Sequence, residues 1–434
     1  MQAILLAAGQ SKRFYPLEDK NFFKFGKNFL IERQIETLQK AGIKKIIIVA
    51  NKNNFKKIST LSRGLSPKLT TEIVIQKNPA EGMRGGVLSA KKFLNKPSLI
   101  TSTNDLVSAS VIKKVLSVKS CNGSILAQKV EKYFPGGYLE IKKGKISSII
   151  EKPVVGKEPS SLVNIVFHFF TRPQDLVKEL EKNSNKNDDG YEQALNKLFP
   201  KQKFKAVQNN SEWIALKFPW HVLDLMKFFL KTQKRSISKN AEIAKTAIIE
   251  GNVVIEDGVK IFDYAIVKNA WIGKNAIVGN HSLVRDSHIA ENAVVGSGSE
   301  VARSYIGENS WLHRNYVGDS IFAGNVSLGS GCVCANLRLD EKEIGCEINS
   351  SNFWKKKNKK ISTQRNKFGC VIGKNSRIGV NTSLMPGILI GENSFVGSGL
   401  VVEKNVTSQH FFTAMWKTKS IQNKKTVVAR AKPK

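Results

Sequence analysis

The chain has 434 residues, 41% of them hydrophobic, with 69 Lys and Arg against 35 Asp and Glu, a net charge of +34. This length exceeds one ordinary hydrophobic core, so two domains are predicted. The apolar residues 1–8 lack a basic flank and a cleavage site, and no apolar run approaches the roughly 18 residues that a membrane span requires. We therefore expect residues 1–8 to form a buried first strand and not a signal peptide, no membrane span, and a cytoplasmic location.

The strong positive charge would permit nucleic-acid binding, because Lys and Arg neutralise phosphates. The lysines are spread along the whole chain, however, and the two densest segments, 355–367 and 417–434, each carry seven Lys or Arg and no acidic residue. Such segments are typical of solvated surface. We therefore expect anionic substrates rather than nucleic acid. The five cysteines form no C-x2-C pair, so no metal–thiolate site is predicted.

The first 230 residues alternate short apolar runs with segments of helical spacing. This alternation predicts βαβ units, giving an α/β Rossmann-like domain with a mostly parallel sheet and its ligands at the carboxyl ends of the strands. The predicted strands are 3–7, 46–50, 72–76, 99–102 and 124–128, and the predicted helices are 29–41, 86–94 and 109–117.

A linker helix is predicted over 221–234, and beyond it the apolar period changes. Aliphatic residues recur about every six positions, often followed by glycine, which is typical of neither a helix nor an alternating strand. It predicts a parallel β-helix of hexapeptide repeats with one aliphatic residue per strand pointing inward. These residues are Ile249, Ile255, Ile261, Ile266, Ile272, Val278 and Val284, then Ile372, Ile378, Leu384, Ile390, Val396 and Val402.

The loop after the first strand, residues 6–13, reads L-A-A-G-Q-S-K-R and is followed by Pro16-Leu17 and Lys24. Small residues let backbone N–H groups approach a triphosphate. The segment resembles the L-A-x-G-x-G-x-R…P-K signature of sugar nucleotidyltransferases, with Ser11 replacing the second glycine and Phe23 the proline before the lysine. The resemblance implies catalytic cations and nucleotide-binding residues, namely Arg13 and Lys24 for the first and Leu6, Ala8 and Gly9 for the second.

Further motifs extend the resemblance through the first half. Asp105 follows a strand, where an aspartate could cap the helix at 108–116; it also matches the family's Mg²⁺ ligand, which we expect to be its role. The resemblance further implies base contacts by Gln76 and Gly82, and sugar-phosphate contacts by Glu151, Lys152 and Asn164. Ile165 and Val166 replace the Ala-Gly of the family and are expected to add bulk beside the sugar. Ala215 stands where a second metal-binding aspartate is common.

The second half carries His313-Arg314-Asn315-Tyr316-Val317-Gly318-Asp319-Ser320, which resembles the H-x-N-Y-V-G-D-S motif of β-helix amino-sugar-phosphate acetyltransferases. An imidazole titrates near neutral pH and suits a general base that deprotonates an amine. The resemblance implies a left-handed parallel β-helix and a homotrimer. It implies His313 as the base, Arg285, Tyr316 and Asn336 as sugar-phosphate contacts, and Ser330 and Lys342 as acetyl-CoA contacts.

Together the halves are identified as a bifunctional sugar-1-phosphate nucleotidylyltransferase/acetyltransferase, with domains at 1–230 and 236–408 and a basic tail at 409–434. The expected substrates are UTP or dTTP with Mg²⁺, a sugar-1-phosphate, acetyl-CoA and a hexosamine-1-phosphate, glucosamine-1-phosphate above all. Two alternatives stay open. In one the chain is an acetyltransferase with a degenerate nucleotide-binding domain; in the other it is a non-catalytic anion-binding scaffold.

Overall fold

The computed structural model describes residues 1–183, 189–348, 359–415, 417–424 and 426. The basic segment at 355–367 and the tail at 409–434 therefore lie partly outside the described residues. Where the tail is described beyond residue 412, it contains neither helix nor strand.

The N-terminal half forms one twisted sheet flanked by helices. The five predicted strands are all present, with ends shifted by at most two residues. Within the described residues the sheet has nine strands: β1 (Gln2–Leu6), β2 (Lys45–Ala50), β3 (Thr70–Ile75), β4 (Ser98–Ser102), β5 (Gly123–Lys129), β6 (Gly137–Lys142), β7 (Lys145–Glu151), β8 (Leu162–Phe170) and β9 (Phe204–Asn209). The helices are α1 (Leu30–Lys40), α2 (Phe55–Arg63), α3 (Gly82–Ser89), α4 (Ala109–Leu116), α5 (Pro173–Lys182), α6 (Gly190–Leu198) and α7 (His221–Thr232).

The predicted Rossmann-like domain is confirmed, and its sheet is mixed. Strands β3, β2, β1 and β4 pair in parallel, and so do β5 and β9. Strand β8 runs antiparallel to β4, β5 and β6, and β6 and β7 form a hairpin. The hairpin needs only a short turn, whereas parallel neighbours need a crossover. The parallel part still brings the loops after β1 and β4 to one sheet edge.

The C-terminal half winds into a three-faced parallel β-helix, consistent with the predicted left-handed hexapeptide type. Each coil contributes one short strand to each face, and strands of successive coils pair in parallel. The first face contains Ser236–Ile237, Val254–Ile255, Trp271–Ile272, His288–Ile289, Tyr305–Ile306, Ile321–Phe322, Val371–Ile372 and Leu389–Ile390. The second face contains Glu242–Ile243, Lys260–Ile261, Ile277–Val278, Val294–Val295, Trp311–Leu312, Ser327–Leu328, Arg377–Ile378, Phe395–Val396 and Phe411–Phe412. The third face contains Ile248–Glu250, Ile266–Lys268, Leu283–Arg285, Glu300–Ala302, Tyr316–Gly318, Val333–Cys334, Ser383–Leu384 and Val401–Val402. A hairpin of Gly345–Ile348 and Lys359–Ser362 leaves the coils between Val333–Cys334 and Val371–Ile372.

The predicted inward residues stack in the core of this β-helix, with one exception. Ile266 was predicted to point inward, but its neighbour Val267 is fully buried and takes that place, which restores six-residue spacing after Ile261. Adjacent coils are 17 or 18 residues apart over most of the β-helix, whereas the coil that contains His313 advances by 16. The coil that contains His313 is therefore shorter than most other coils.

The two halves pack against each other through α7 and the first face of the β-helix. A shared apolar cluster contains Phe14, Trp220, Tyr305 and Phe368, and so joins side chains of both halves. The Tyr305 hydroxyl donates to the Lys24 carbonyl at 2.7 Å, which adds a direct polar link. The predicted linker helix therefore connects the two domains and also packs between them.

Buried histidines make the fold sensitive to acid. Burial lowers the pKa of His168 to about 3, far below the ordinary value of 6.5. Below pH 6.5 His168 binds a proton in the unfolded chain but stays neutral in the folded chain. The free energy of unfolding therefore falls as the pH falls. For one such group the loss between pH 7 and pH 5 is about 2 kcal/mol. We expect the urea midpoint to fall over this range and to fall less steeply in His168→Gln, whereas His410→Gln, at an exposed position, should leave the slope unchanged. A midpoint independent of pH would contradict this expectation.

Candidate active sites

The loop after β1 is held open by asparagine side chains. The Asn51 amide donates to the Ala8 carbonyl at 3.0 Å, and the Asn54 amide donates to the Ala7 carbonyl at 2.9 Å. Gly9 is exposed, and a Cβ placed there would meet nothing within 4 Å. Because the loop carbonyls are tied back towards the protein, the loop presents an open backbone surface at which phosphate oxygens can bind.

Asp105 lies at the end of β4, buried to 8% exposure. Its two carboxylate oxygens accept hydrogen bonds from Trp213 Nε1 at 3.0 Å and from Ser102 Oγ at 3.2 Å. Burial raises the pKa of Asp105, while the positive charges of Lys217 and Lys20 and the two hydrogen bonds act in the opposite direction. The carboxylate is therefore fixed in orientation and surrounded by cations.

Lys24, predicted as the catalytic lysine, contacts the β-helix in the structure. Lys24 forms an ion pair with Glu291 of the β-helix at 3.2 Å and so belongs to the junction. Lys20 lies at the site instead: its ammonium donates to the Leu216 carbonyl at 3.4 Å and interacts with both Asp105 and Arg13. Burial and the charge of Arg13 lower the pKa of Lys20 to about 8. The structure thus brings Arg13 and Lys20 together and leaves Lys24 out.

A second lysine, Lys217, was not anticipated at this site. Burial lowers its pKa to about 8, and it interacts with Asp105 and, through their charges, with Glu151 and Lys152. Its ammonium also lies 3.9 Å from the ring centre of Phe134. Lys217 therefore adds a third cation where a transferring phosphoryl group needs charge neutralisation.

Position 215, where a second carboxylate commonly completes the metal site, is an alanine. Ala215 pairs directly with Asp105 across a two-stranded ladder. In the described parts of the chain no group of three or more His, Cys, Asp or Glu side chains could hold a metal ion. Mg²⁺ is often bound by one or two carboxylates together with substrate phosphates. Asp105 alone satisfies the lower limit of that range.

The predicted base-binding residues lie beside β1 and β3. The Gln76 amide donates to the Gly82 and Asn78 carbonyls at 2.9 and 3.1 Å, so Gln76 shapes the loop that leads into α3. Gly82 has φ of +54°, which favours glycine. Leu6, the last residue of β1, accepts from Thr103 N at 3.4 Å and links the two loops at the sheet edge.

The predicted sugar-phosphate residues lie at the ends of β7 and within β8. Glu151 and Lys152 form an exposed ion pair at 3.2 Å. The Asn164 Oδ1 lies 2.7 Å from His168 Nε2. Ile165, expected to add bulk beside the sugar, is fully buried in the core between the sheet and the helices. That expectation was wrong, since alternate residues of a strand point to opposite faces. Val166 is half-buried.

On the β-helix, a polar network joins three successive coils. Arg303 donates two hydrogen bonds to Asp319 at 2.8 and 2.7 Å. The Asn336 amide donates to the same carboxylate at 2.5 Å, and the Tyr316 hydroxyl donates to Asn336 Oδ1 at 3.4 Å. The predicted pair of Tyr316 and Asn336 is thus brought together and oriented by Asp319, which the sequence did not single out.

Arg285 lies one coil earlier on the third face, in register with Ala302. Its guanidinium donates to Glu300 at 2.9 Å. Ala302 is fully buried, while Arg303 leaves the strand with φ of +51° and turns its guanidinium to Asp319. Arg303 therefore orients the polar network.

His313 is exposed on the turn between the second and third faces. Its ring stacks on Trp311, with centroids 5.8 Å apart and an interplanar angle of 16°. The next coil lies directly against this turn, because Gly331 N donates to the Arg314 carbonyl at 3.1 Å. Ser330 is consequently adjacent to the His313 turn.

Lys342 lies apart from that turn, on the exposed segment before the hairpin, where its backbone N–H donates to Asp340 at 3.3 Å. Arg338 binds the same carboxylate and holds the pKa of Asp340 at about 2. The role of Lys342 as an acetyl-CoA contact therefore stays a prediction.

Comparison with known proteins identifies the family. A curated protein of Sulfurisphaera tokodaii, named bifunctional sugar-1-phosphate nucleotidylyltransferase/acetyltransferase, is 30% identical over 421 residues, which cover 95% of this chain and 100% of the relative. This chain belongs to the family of bifunctional sugar-1-phosphate nucleotidylyltransferase/acetyltransferases.

Other comparisons support the same family membership. Proteins named bifunctional protein GlmU from Methanococcus vannielii and Methanococcus maripaludis strain C7 are 29% and 30% identical, each over 95% of this chain and 97% of the relative. Family models described as nucleotidyl transferase, GMPPB C-terminal domain and bacterial transferase hexapeptide match residues 2–216, 232–353 and 369–404. Among the described helices of this nucleotidylyltransferase/acetyltransferase, none is both long and apolar enough to cross a membrane.

Proposed function

We propose that this member of the family transfers a uridylyl or thymidylyl group to a sugar-1-phosphate and N-acetylates a hexosamine-1-phosphate, glucosamine-1-phosphate being the expected amino sugar. The observation that carries the proposal is the full-length match to a bifunctional relative, which spans both halves of the chain. The residues of each half suggest how each reaction proceeds.

In the N-terminal domain an oxygen of the sugar phosphate would attack the α-phosphorus of UTP or dTTP, forming a new P–O bond as the bond to pyrophosphate breaks. Such a transfer depends on positioning and charge neutralisation. Arg13, Lys20 and Lys217 supply positive charge, and the loop at Gly9 supplies backbone donors. Asp105 would hold Mg²⁺ together with phosphate oxygens, and the ion would neutralise further phosphate charge when bound.

The remaining N-terminal contacts follow from position. Leu6, Ala8, Gln76 and Gly82 line the loops at the nucleotide end of the sheet. Glu151, Lys152 and Asn164 lie towards the sugar phosphate, and the charges of Glu151 and Lys152 act on Lys217.

In the β-helix His313 would remove a proton from the sugar amine while the nitrogen attacks the thioester carbonyl of acetyl-CoA. The C–N bond forms, the C–S bond breaks, and coenzyme A leaves as its thiol. Tyr316 and Asn336 would bind the sugar and Arg285 its phosphate. Ser330, next to the His313 turn, and Lys342 would bind acetyl-CoA.

The proposed assembly is a homotrimer in the cytoplasm. Large apolar side chains are exposed on the second face of the β-helix, with Trp311 at 52%, Phe395 at 51% and Phe411 at 67%. Exposed apolar surface of this kind marks interaction sites. Packing along this face would bring a neighbouring subunit beside His313.

The test of the nucleotidyl reaction is pyrophosphate release from purified protein with Mg²⁺. The panel combines the four NTPs and dTTP with glucose-1-phosphate, glucosamine-1-phosphate and N-acetylglucosamine-1-phosphate. We expect release with UTP or dTTP and at least one sugar. Silence across the panel from protein that still acetylates would favour the alternative in which the N-terminal domain has lost its chemistry.

A further inference from the structure

A cavity of about 570 Å³ lies at the junction of the two domains, away from both transferase sites. The N-terminal domain contributes Arg33 of α1 and residues Phe25 to Lys27, which lie in a short hairpin formed by Lys24–Phe25 and Asn28–Phe29. The linker contributes Phe229 and Gln233 at the end of α7, and the β-helix contributes Trp271 and His288 of its first face. Its volume is in the range of small-molecule sites, which commonly lie between domains.

Several residues that line this cavity carry a buried polar atom without a hydrogen-bond partner. Among the described residues, six buried side-chain atoms lack a hydrogen-bond partner, and four of them belong to residues that line it: Arg33 Nε, Gln233 Oε1, Glu256 Oε1 and His288 Nδ1. Glu256 Oε1 has only a long contact of 3.9 Å with Lys27 Nζ. Leaving such groups unpaired is costly, so their clustering indicates a place prepared for a polar partner.

The protonation of His288 is set by its neighbours. Its Nε2 accepts a hydrogen bond from Gly26 N at 2.9 Å, so the proton of the neutral ring is on Nδ1. Burial and the charges of Arg33 and Lys24 lower the pKa of His288 to about 3. His288 is 4% exposed and stacks between Trp271 and Tyr305. It therefore presents a fixed, neutral N–H donor.

The four unpartnered atoms include both donors and acceptors. Arg33 and His288 offer N–H groups, whereas Gln233 and Glu256 offer oxygens. A phosphate or carboxylate needs donors alone, and a cation needs acceptors alone, so neither matches the set. The walls beside these atoms include the rings of Phe25, Phe229 and Trp271. A flat ligand with apolar faces and a mixed hydrogen-bonding edge matches both features.

We propose that the domain junction is a binding site for a nucleoside, whose heteroaromatic base enters the cavity and pairs with Arg33, His288, Gln233 and Glu256. The site is separate from the nucleotide loop at Gly9. Because the cavity walls come from both domains, a bound nucleoside contacts both at once.

The test is isothermal titration calorimetry on the full-length protein with adenosine, cytidine and uridine, and with ribose to separate base from sugar. At least one nucleoside should bind and ribose should not. Gln233→Met removes an acceptor while keeping the side-chain length, and we expect it to weaken binding about tenfold or more. Gln202→Met, which removes a hydrogen bond to Asp175 far from the junction, is the matched control and should bind as wild type.

A second pair of variants tests the location without altering buried polar groups. Thr232 lies on the cavity wall at the exposed end of α7, and Thr232→Trp should block binding. Thr60 is exposed on α2 and makes the same type of hydrogen bond to the carbonyl four residues earlier, so Thr60→Trp is its control. Three results would overturn the proposal: no nucleoside binding at millimolar concentration, binding unaffected by Gln233→Met and Thr232→Trp, or equal binding of ribose.

Discussion

Replacing His313 by alanine is expected to lower acetyl transfer from acetyl-CoA by about 10²–10⁴-fold, the usual contribution of a positioned general base. The imidazole is exposed on the turn of a β-helix coil and adjacent to the coil that carries Ser330. Pyrophosphate release by the N-terminal domain should stay at the wild-type level. Acetyl transfer is measured as free thiol released from acetyl-CoA with glucosamine-1-phosphate.

His281 offers a closely matched control for this variant. It too is an exposed histidine on a coil turn, stacked on Tyr264 with ring centroids 5.0 Å apart. His281→Ala removes the same ring from the same kind of stack and should keep full acetyl transfer. If both variants keep their activity, His313 is not the base; if both lose it, the loss reflects the coil and not the chemistry.

Replacing Lys20 by methionine is expected to lower pyrophosphate release by about 10²–10³-fold, because a cation aimed at charge in the transition state contributes on this scale. Lys20 interacts with Asp105 and Arg13 and is half-buried, so water screens its charge only in part. Acetyl transfer should be unchanged. The assay is coupled detection of pyrophosphate with the nucleotide and sugar identified in the substrate panel.

Lys24→Met distinguishes the two lysines. Lys24 pairs with the half-exposed Glu291 at 3.2 Å, and such pairs contribute at most about 1 kcal/mol to stability. We expect Lys24→Met to release pyrophosphate within about twofold of wild type, since its charge is not at the phosphates. Strong loss in Lys24→Met together with activity in Lys20→Met would restore the prediction made from the sequence motif.

The β-helix was predictable because its periodicity is strict. One aliphatic residue every six positions admits few other folds, and the expected inward residues are buried with the single exchange of Ile266 for Val267. The exchange arose because a coil of 17 residues must contain one five-residue step, and the sequence does not show where that step falls. Both Ile266 and Val267 are aliphatic, so burial alone separates them.

The N-terminal site was harder to predict in detail. The proline that marks the motif lysine is missing, which leaves both Lys20 and Lys24 as candidates in the sequence. Lys217 had no signal, since its proximity to Asp105 depends on the pairing of Ala215 with Asp105, a contact between residues far apart in the chain. The effect of Ile165 was misjudged because strand facing cannot be read from a motif comparison.

The central claim, that one chain carries two separate transferases, is tested most directly by complementation. Glucosamine-1-phosphate, acetyl-CoA, Mg²⁺ and the active nucleoside triphosphate are incubated with Lys20→Met, with His313→Ala, or with both proteins mixed, and the N-acetylated nucleotide sugar is followed by ³¹P NMR and mass spectrometry. Neither variant alone should form that product, and the mixture should form it. Failure of the mixture, where wild-type protein succeeds, would contradict two independent sites, and so would formation of the product by either variant alone.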